Sequence, residues 1–351
     1  MAFTMHSHSG QFCPGHAKDQ LEDIILHAIK VGYKTIGLTE HMPRTELSDL
    51  YPEELVPSPE ETLASLAPRH EAYLAEARRL QQKYASQIHI LIGFEGEWIR
   101  PAYGGLIRSL AADPAVDYFV GSIHHTRGVP IDLDAATYAD AVRACGGTER
   151  ALFAAYFDEQ LAMLEAVRPR VVGHFDLVRL FSSAPGRSLR RWEEEEEEEE
   201  EEGNDNDNDN GSGKDGGKGS GEGGEEVWAR VVRNLECVRR YGGWLECNTS
   251  ALRKGLAEPY PQREIAEEWV RMGGRFTFAD DSHGIAQVAT NYSRGLDYLE
   301  SLGVKEVWTL ERRRAPAAEE GAGGGDKDKA KAELVERCVS IDEFRASMNF
   351  E

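Results

Sequence analysis

Short apolar runs alternate along this chain with longer segments whose apolar positions recur every three or four residues. The runs at 2–6, 35–39, 88–94, 118–122, 171–173, 244–248, 276–279 and 307–310 predict strands. The intervening segments 19–31, 60–84, 102–110, 149–167, 227–241, 262–272 and 292–302 predict helices. In the first of these, Leu21, Ile24, Ile25, Ala28 and Ile29 fall on one helical face. Strands without polar alternation, each followed by a helix, imply a parallel sheet buried on both faces. Seven or eight such units suit a closed or distorted barrel better than an open sheet. No GxGxxG follows the first strand, which weakens a dinucleotide-binding reading.

Two stretches break this rhythm. Residues 193–226 hold a run of ten glutamates, an Asn-Asp repeat and a Gly-Ser-Lys segment. Such a composition cannot bury enough apolar surface to offset its ordering entropy, so the expectation is a disordered acidic insert. Residues 315–332 form a milder low-complexity loop. The insert also explains most of the charge. The chain carries −22, and 193–226 contributes 17 acids and 2 lysines, a net −15, which leaves −7 elsewhere. With no basic stripe, nucleic acid is disfavoured as a partner.

The 351 residues are read as one domain, with 40% apolar residues to build its core. Cys13, Cys145, Cys237, Cys247 and Cys338 form no close pair and read as reduced thiols. With no long apolar span and no secretory pattern, the expected location is cytoplasmic, away from membranes.

The placement of the histidines carries the chemistry. His6 and His8 follow the first strand two residues apart, which turns both rings to the same side in extended chain. His16 sits in the loop beyond. His41 follows the second strand, Glu95 the third, His124 and His125 the fourth, His174 the fifth, and Asp281 and His283 the seventh. His27, His70 and His89 lie within helices or at a strand start and read as structural. In a barrel, the carboxyl ends of the strands share one face, where sites are built. Imidazole and carboxylate without thiolate suit zinc, iron, manganese or nickel. Nine such residues exceed the needs of one ion, so two or three divalent ions are expected, with Glu95 the carboxylate suited to bridge a pair.

All of these residues but His16 fall within seven stretches: Met-His-Ser-His at 5–8, Leu-Thr-Glu-His-Met-Pro at 38–43, Gly-Phe-Glu at 93–95, Gly-Ser-Ile-His-His at 121–125, Gly-His-Phe-Asp-Leu at 173–177, Glu-Cys-Asn-Thr-Ser at 246–250 and Asp-Ser-His at 281–283. In this order the set resembles the polymerase and histidinol phosphatase (PHP) family, and most of all its histidinol-phosphatase branch. The resemblance implies a distorted (β/α)7 TIM-like barrel with a trinuclear site. It implies that His6, His8, Glu95 and Asp281 hold one ion, Glu95, His124 and His174 a second, and His16, His41 and His283 a third. Glu97 competes with Glu95 and Asp280 with Asp281, although the Asp-x-His spacing favours Asp281.

The implied reaction is hydrolysis of L-histidinol phosphate to L-histidinol and phosphate, in histidine biosynthesis, by attack of metal-bound hydroxide. Asp281, His283 and a metal-bound water are the candidates to protonate the leaving group. Arg179 and Arg253 fall where arginines would grip the phosphate, and His125 adjoins a ligand position. The rival readings are a phosphoesterase of this fold with another small substrate, and a metal-dependent amidohydrolase. The second usually relies on a bridging lysine, for which Glu95 stands here.

Overall fold

The computed structural model describes residues 1–56, 58–192, 224–313 and 333–348. Most of the expected insert 193–226 and all of the loop 315–332 lie outside the described residues. The exception is that a helix begins at Gly224, three residues earlier than the sequence pattern predicts.

Among the described residues, seven parallel strand positions close into a ring. β1 (Ala2–Thr4), β2 (Tyr33–Leu38) and β3 (His89–Ile92) form one sheet. β4 (Glu95–Glu97) continues the β3 segment after a break at Gly93 and Phe94, and opens a second sheet. That sheet runs through β5 (Val120–Ser122), β8 (Val171–Val172), β9 (Trp244–Asn248) and β10 (Phe276–Ala279), with a small antiparallel ribbon, β6 (His125–Thr126) and β7 (Val129–Pro130), lying between β5 and β8 in sequence.

Backbone bonds close both seams. Glu95 N–H donates to Glu40 O at 3.0 Å and Met42 N–H to Glu95 O at 3.0 Å. At the other seam Met5 N–H donates to Phe278 O at 3.1 Å, and His8 N–H to Ser282 O at 2.8 Å. Where the β2–β3 ladder gives way, Leu38 O still accepts from Gly93 N–H at 2.8 Å, and the Tyr73 hydroxyl lies 2.8 Å from Leu38 O and 2.7 Å from Gly93 O, giving the Gly93 carbonyl a donor.

The ring interior is filled rather than open. Tyr118 reaches across it, and its hydroxyl donates to Met5 O at 2.6 Å. Gly37 makes room for this: a Cβ there would lie 2.0 Å from the Tyr118 hydroxyl. Helices cover the outside, as strands buried on both faces require. They are α1 (Leu21–Lys30), α2 (Pro59–Lys83), α3 (Tyr103–Ala111), α4 (Ala135–Ala144), α5 (Glu149–Val167), α6 (Gly224–Tyr241), α7 (Ser250–Arg253), α8 (Arg263–Arg271) and α9 (Tyr292–Ser301). α1 buries Leu21, Ile24, Ile25 and Ala28, the face its spacing predicts, and α5 starts where Thr148 Oγ1 accepts from Ala151 N–H.

One strand expectation is corrected. The run at 307–310 is part of the longer β11 (Glu306–Arg313), which pairs antiparallel with β12 (Glu333–Ser340) outside the parallel ring. Burial along β11 is fullest at Val307, Thr309 and Leu310 and falls off toward Arg313. The hairpin packs where β3 and β5 begin: Arg312 N–H donates to His89 Nε2 at 3.1 Å, and the Arg312 guanidinium meets Asp117 at 2.8 Å. α4, the β6–β7 ribbon and the terminal α10 (Ile341–Ser347) were not legible as elements in the apolar pattern.

Candidate metal centre

The strand ends away from the hairpin converge on one carboxylate. Glu95 presents its two oxygens to different histidines. Oε2 lies 3.0 Å from His41 Nδ1, 3.4 Å from His6 Nε2 and 3.6 Å from His8 Nε2. Oε1 lies 3.1 Å from His174 Nε2 and 3.5 Å from His124 Nε2. Asp281 Oδ1 lies 3.4 Å from His8 Nε2 and 3.7 Å from both His6 Nε2 and His283 Nδ1.

Three triads gather donor atoms within 4.8 Å of one another: His6, His8 and Glu95; Glu95, His124 and His174; and His16, His41 and His283. His8, Asp281 and His283 form a further such group. All nine residues thus meet in one place. His174 and Asp281 leave their strands with positive φ, 22° and 48°, a conformation that L-residues rarely adopt and that turns each side chain inward.

The donor set has the chemistry of a cation site. His6 Nε2, both ring nitrogens of His8 and His41 Nε2 are buried without a hydrogen-bond partner, which is costly unless something else meets them. Burial works to raise the Glu95 and Asp281 carboxyls, yet the facing imidazoles outweigh it and hold both well below the usual range. Burial, aided by His41, pushes His8 down to about 3, so it stays neutral, the form that ligates. Divalent ions fit these residues.

The paired alternatives differ in their partners: Glu97 is tied to an arginine, and Asp280 faces away from the histidines. Glu97, on the same strand face as Glu95, accepts from Tyr51 Oη at 2.9 Å and from Arg44 at 2.8 Å, and its Oε1 also lies 3.2 Å from His41 Nδ1 and 3.5 Å from His124 Nδ1. Asp280 accepts from Tyr33 Oη at 2.8 Å, Ala289 N–H at 2.6 Å and Thr4 Oγ1 at 3.2 Å, behind the strand.

Residues 4–250 match the family model described as the PHP domain. The chain belongs to the PHP family. It is 39% identical to a Schizosaccharomyces pombe protein named "Probable histidinol-phosphatase", over 89% of this chain and 90% of that one. It is 32% identical to the histidinol-phosphatase of Saccharomyces cerevisiae, over 89% of this chain and 92% of the relative. The solved histidinol phosphate phosphatase of Lactococcus lactis, complexed with zinc, L-histidinol and phosphate, superposes with a TM-score of 0.57 at 16% identity, covering 88% of this chain and 96% of that one. The distorted TIM-like barrel of the PHP type is the fold of this chain.

Around the PHP centre stand partners that the sequence did not reveal. His6 Nδ1 lies 2.9 Å from Glu246 Oε1, and Glu246 Oε2 accepts from His174 N–H at 3.0 Å and Asn248 Nδ2 at 2.9 Å. His16, the most exposed of the nine, has its Nδ1 2.9 Å from Glu53 Oε1. Glu246 sits in a quoted stretch, but its inward direction depends on the strand phase of β9. Glu53 comes from a loop with no pattern to mark it.

The arginines part company. Arg253 lines the cleft over the centre, with its guanidinium donating to Asp280 O at 3.0 Å and Asp281 O at 2.9 Å. Arg179 does not line it. Its donors go to Asp176 Oδ2 at 2.9 Å, Pro259 O at 2.8 Å and Glu258 O at 3.1 Å, and it would reach a phosphate only by giving these up. His125 is buried against Tyr51 and burial pushes it down to about 4; it is not among the residues that line the cleft.

Among the described residues no helix is long and apolar enough to cross a membrane.

Proposed function

We propose that this chain hydrolyses L-histidinol phosphate to L-histidinol and phosphate with divalent metal ions, in histidine biosynthesis. The observation that carries the metal chemistry is the split of Glu95 between two groups of histidines. The substrate rests on the two named relatives that this chain matches over nearly their whole length.

We assign His6, His8, Glu95 and Asp281 to one ion, Glu95, His124 and His174 to a second, and His16, His41 and His283 to a third, with zinc, manganese or iron as the metals. Ions held there would supply an activated water at neutral pH and neutralise charge on the phosphoryl oxygens. The protein's own part is orientation. Glu246 accepts a hydrogen bond from the Nδ1–H of His6 and leaves Nε2 facing Glu95 and Asp281. Arg253 stands at the cleft wall with Lys254, where both can meet the phosphate. We assign Asp281 and His283, which line the same cleft, to orient a water that returns a proton to the leaving alkoxide, since the Asp281 carboxyl, held well below its usual range, carries none itself. The five cysteines are all unpaired, which suits the reducing cytoplasm.

The test is phosphate release from L-histidinol phosphate beside sugar phosphates, nucleotides and an aryl phosphate, with manganese or zinc added. Strong preference for histidinol phosphate supports the assignment. Activity confined to another member would keep the phosphatase chemistry and remove the substrate.

A further inference from the structure

The cleft over the centre, about 370 Å³, is lined by four carboxylates. Three have work to do there. Glu95 and Asp281 face the histidines, and Glu53 bonds His16. The fourth, Asp132, makes no hydrogen bond or ion pair among the described residues. It is half-buried, and the rim residue beside it, Leu133, is 39% exposed.

An unpaired carboxylate in a cleft that receives a phosphate dianion is a liability, since like charges in a partly dry site repel. It becomes useful when the same substrate carries a positive charge at its other end. Resting on the function proposed above, we infer that Asp132 is the specificity residue that takes up the substrate's ammonium group, so that the site selects phosphate esters of amino alcohols.

The local build supports a fixed rather than wandering carboxylate. Residue 131 is tied to the centre, because Ile131 N–H donates to His124 O at 2.9 Å. Residue 134 is tied to α4, because Asp134 Oδ1 accepts from Thr137 N–H at 2.7 Å. Asp132 and Leu133 span the two-residue gap between these anchors. Asp132 thus keeps a constant position relative to the strand end that carries His124, one of the residues around Glu95. Arg253 and Lys254 reach the cleft from the segment after β9, a different part of the ring, so the cationic and anionic groups come from separate elements. A substrate with a phosphate and an ammonium separated by a few bonds matches that division. A sugar phosphate or nucleotide offers Asp132 only hydroxyls or further negative charge.

The experiment compares kcat/KM for L-histidinol phosphate and for p-nitrophenyl phosphate, which has no amine, in wild-type enzyme and in Asp132→Asn, with manganese present. Loss of one charge-assisted bond predicts a fall of about ten- to a hundredfold in the ratio of the two values, expressed mainly in KM for histidinol phosphate. Because the aryl phosphate is measured on the same preparation, misfolding lowers both values and leaves the ratio alone. A ratio within about twofold of wild type overturns the role of Asp132 while leaving the phosphatase reading intact. A wild-type enzyme with no preference for histidinol phosphate overturns both.

Discussion

His6 Nδ1 lies 2.9 Å from Glu246 Oε1, both wholly buried. The contact fixes which imidazole nitrogen carries the proton and leaves Nε2 free to face Glu95 and Asp281. Glu246→Gln keeps the shape but presents a weaker, ambiguous partner. Metal affinity or activity is expected to fall by about 10- to 100-fold, the usual cost of losing such a partner. Metal content by elemental analysis, measured beside phosphate release, checks it. An unchanged variant would show that the ring needs no such support.

Glu95 is the shared member of two donor triads. Glu95→Gln removes the charge that faces both histidine groups. Bound metal and turnover should drop together, turnover by more than about a hundredfold. Loss of metal alone, with turnover near wild type, would sink the bridging role.

Chelation should abolish phosphatase activity and lower the thermal midpoint by several degrees. Ions that bind only the folded state stabilise it by mass action, by about 4 kcal/mol at a thousand times their dissociation constant. Here they also relieve the unpartnered nitrogens of His6 and His8. Scanning calorimetry before and after chelation, then after adding zinc or manganese, reads the effect.

Arg253 donates to Asp280 O, Asp281 O and Thr290 Oγ1, and so braces the turn in which Asp281 holds its positive φ. A lysine has one point charge and cannot span three acceptors. Arg253→Lys is expected to raise KM for the phosphate ester by about tenfold. A KM unmoved by the change would remove Arg253 from both phosphate and turn.

Glu22 ties α1 to α2 through Lys83, Tyr84 and Arg79. The Lys83 ammonium, helped by the Tyr84 hydroxyl, pulls its carboxyl down from 4.5 to about 2. A depressed carboxyl stabilises above its unfolded value, and the contribution is lost as pH falls from 4.5 toward 2. Glu22→Gln should therefore cost under about 1 kcal/mol at neutral pH, as a surface pair does. The gap in urea-unfolding stability between wild type and variant should close as pH falls through that window. A gap that stays constant with pH would show the bonds, not the charge, to matter.

The βα rhythm and the phase of the ligand types within it were written in the chain. Both follow from local rules: an apolar run flanked by polar turns makes a buried strand, and a histidine just past it lands at the strand's carboxyl end. His6, His8, His41, Glu95, His124, His174, Asp281 and His283 could therefore be named without coordinates. His16 could be named only through the resemblance, because nothing in a loop fixes where a side chain goes.

What sequence could not decide was direction and neighbourhood. Glu95 and Glu97 share one face of a short strand, and Asp280 and Asp281 are adjacent. Only the closed ring shows that Glu95 meets both groups of histidines, that Glu97 reaches two of them but is tied to Arg44, and that Asp280 faces Tyr33. Arg179 and Arg253 look alike as sequence, yet three acceptors brought from residues 176, 258 and 259 engage one of them away from the cleft. Glu246 and Asp132 acquire their parts only from groups more than a hundred residues away or across the cleft. Local propensity sets the elements, whereas the pairing of charges is set by long-range packing, which brings together residues that share no sequence neighbourhood.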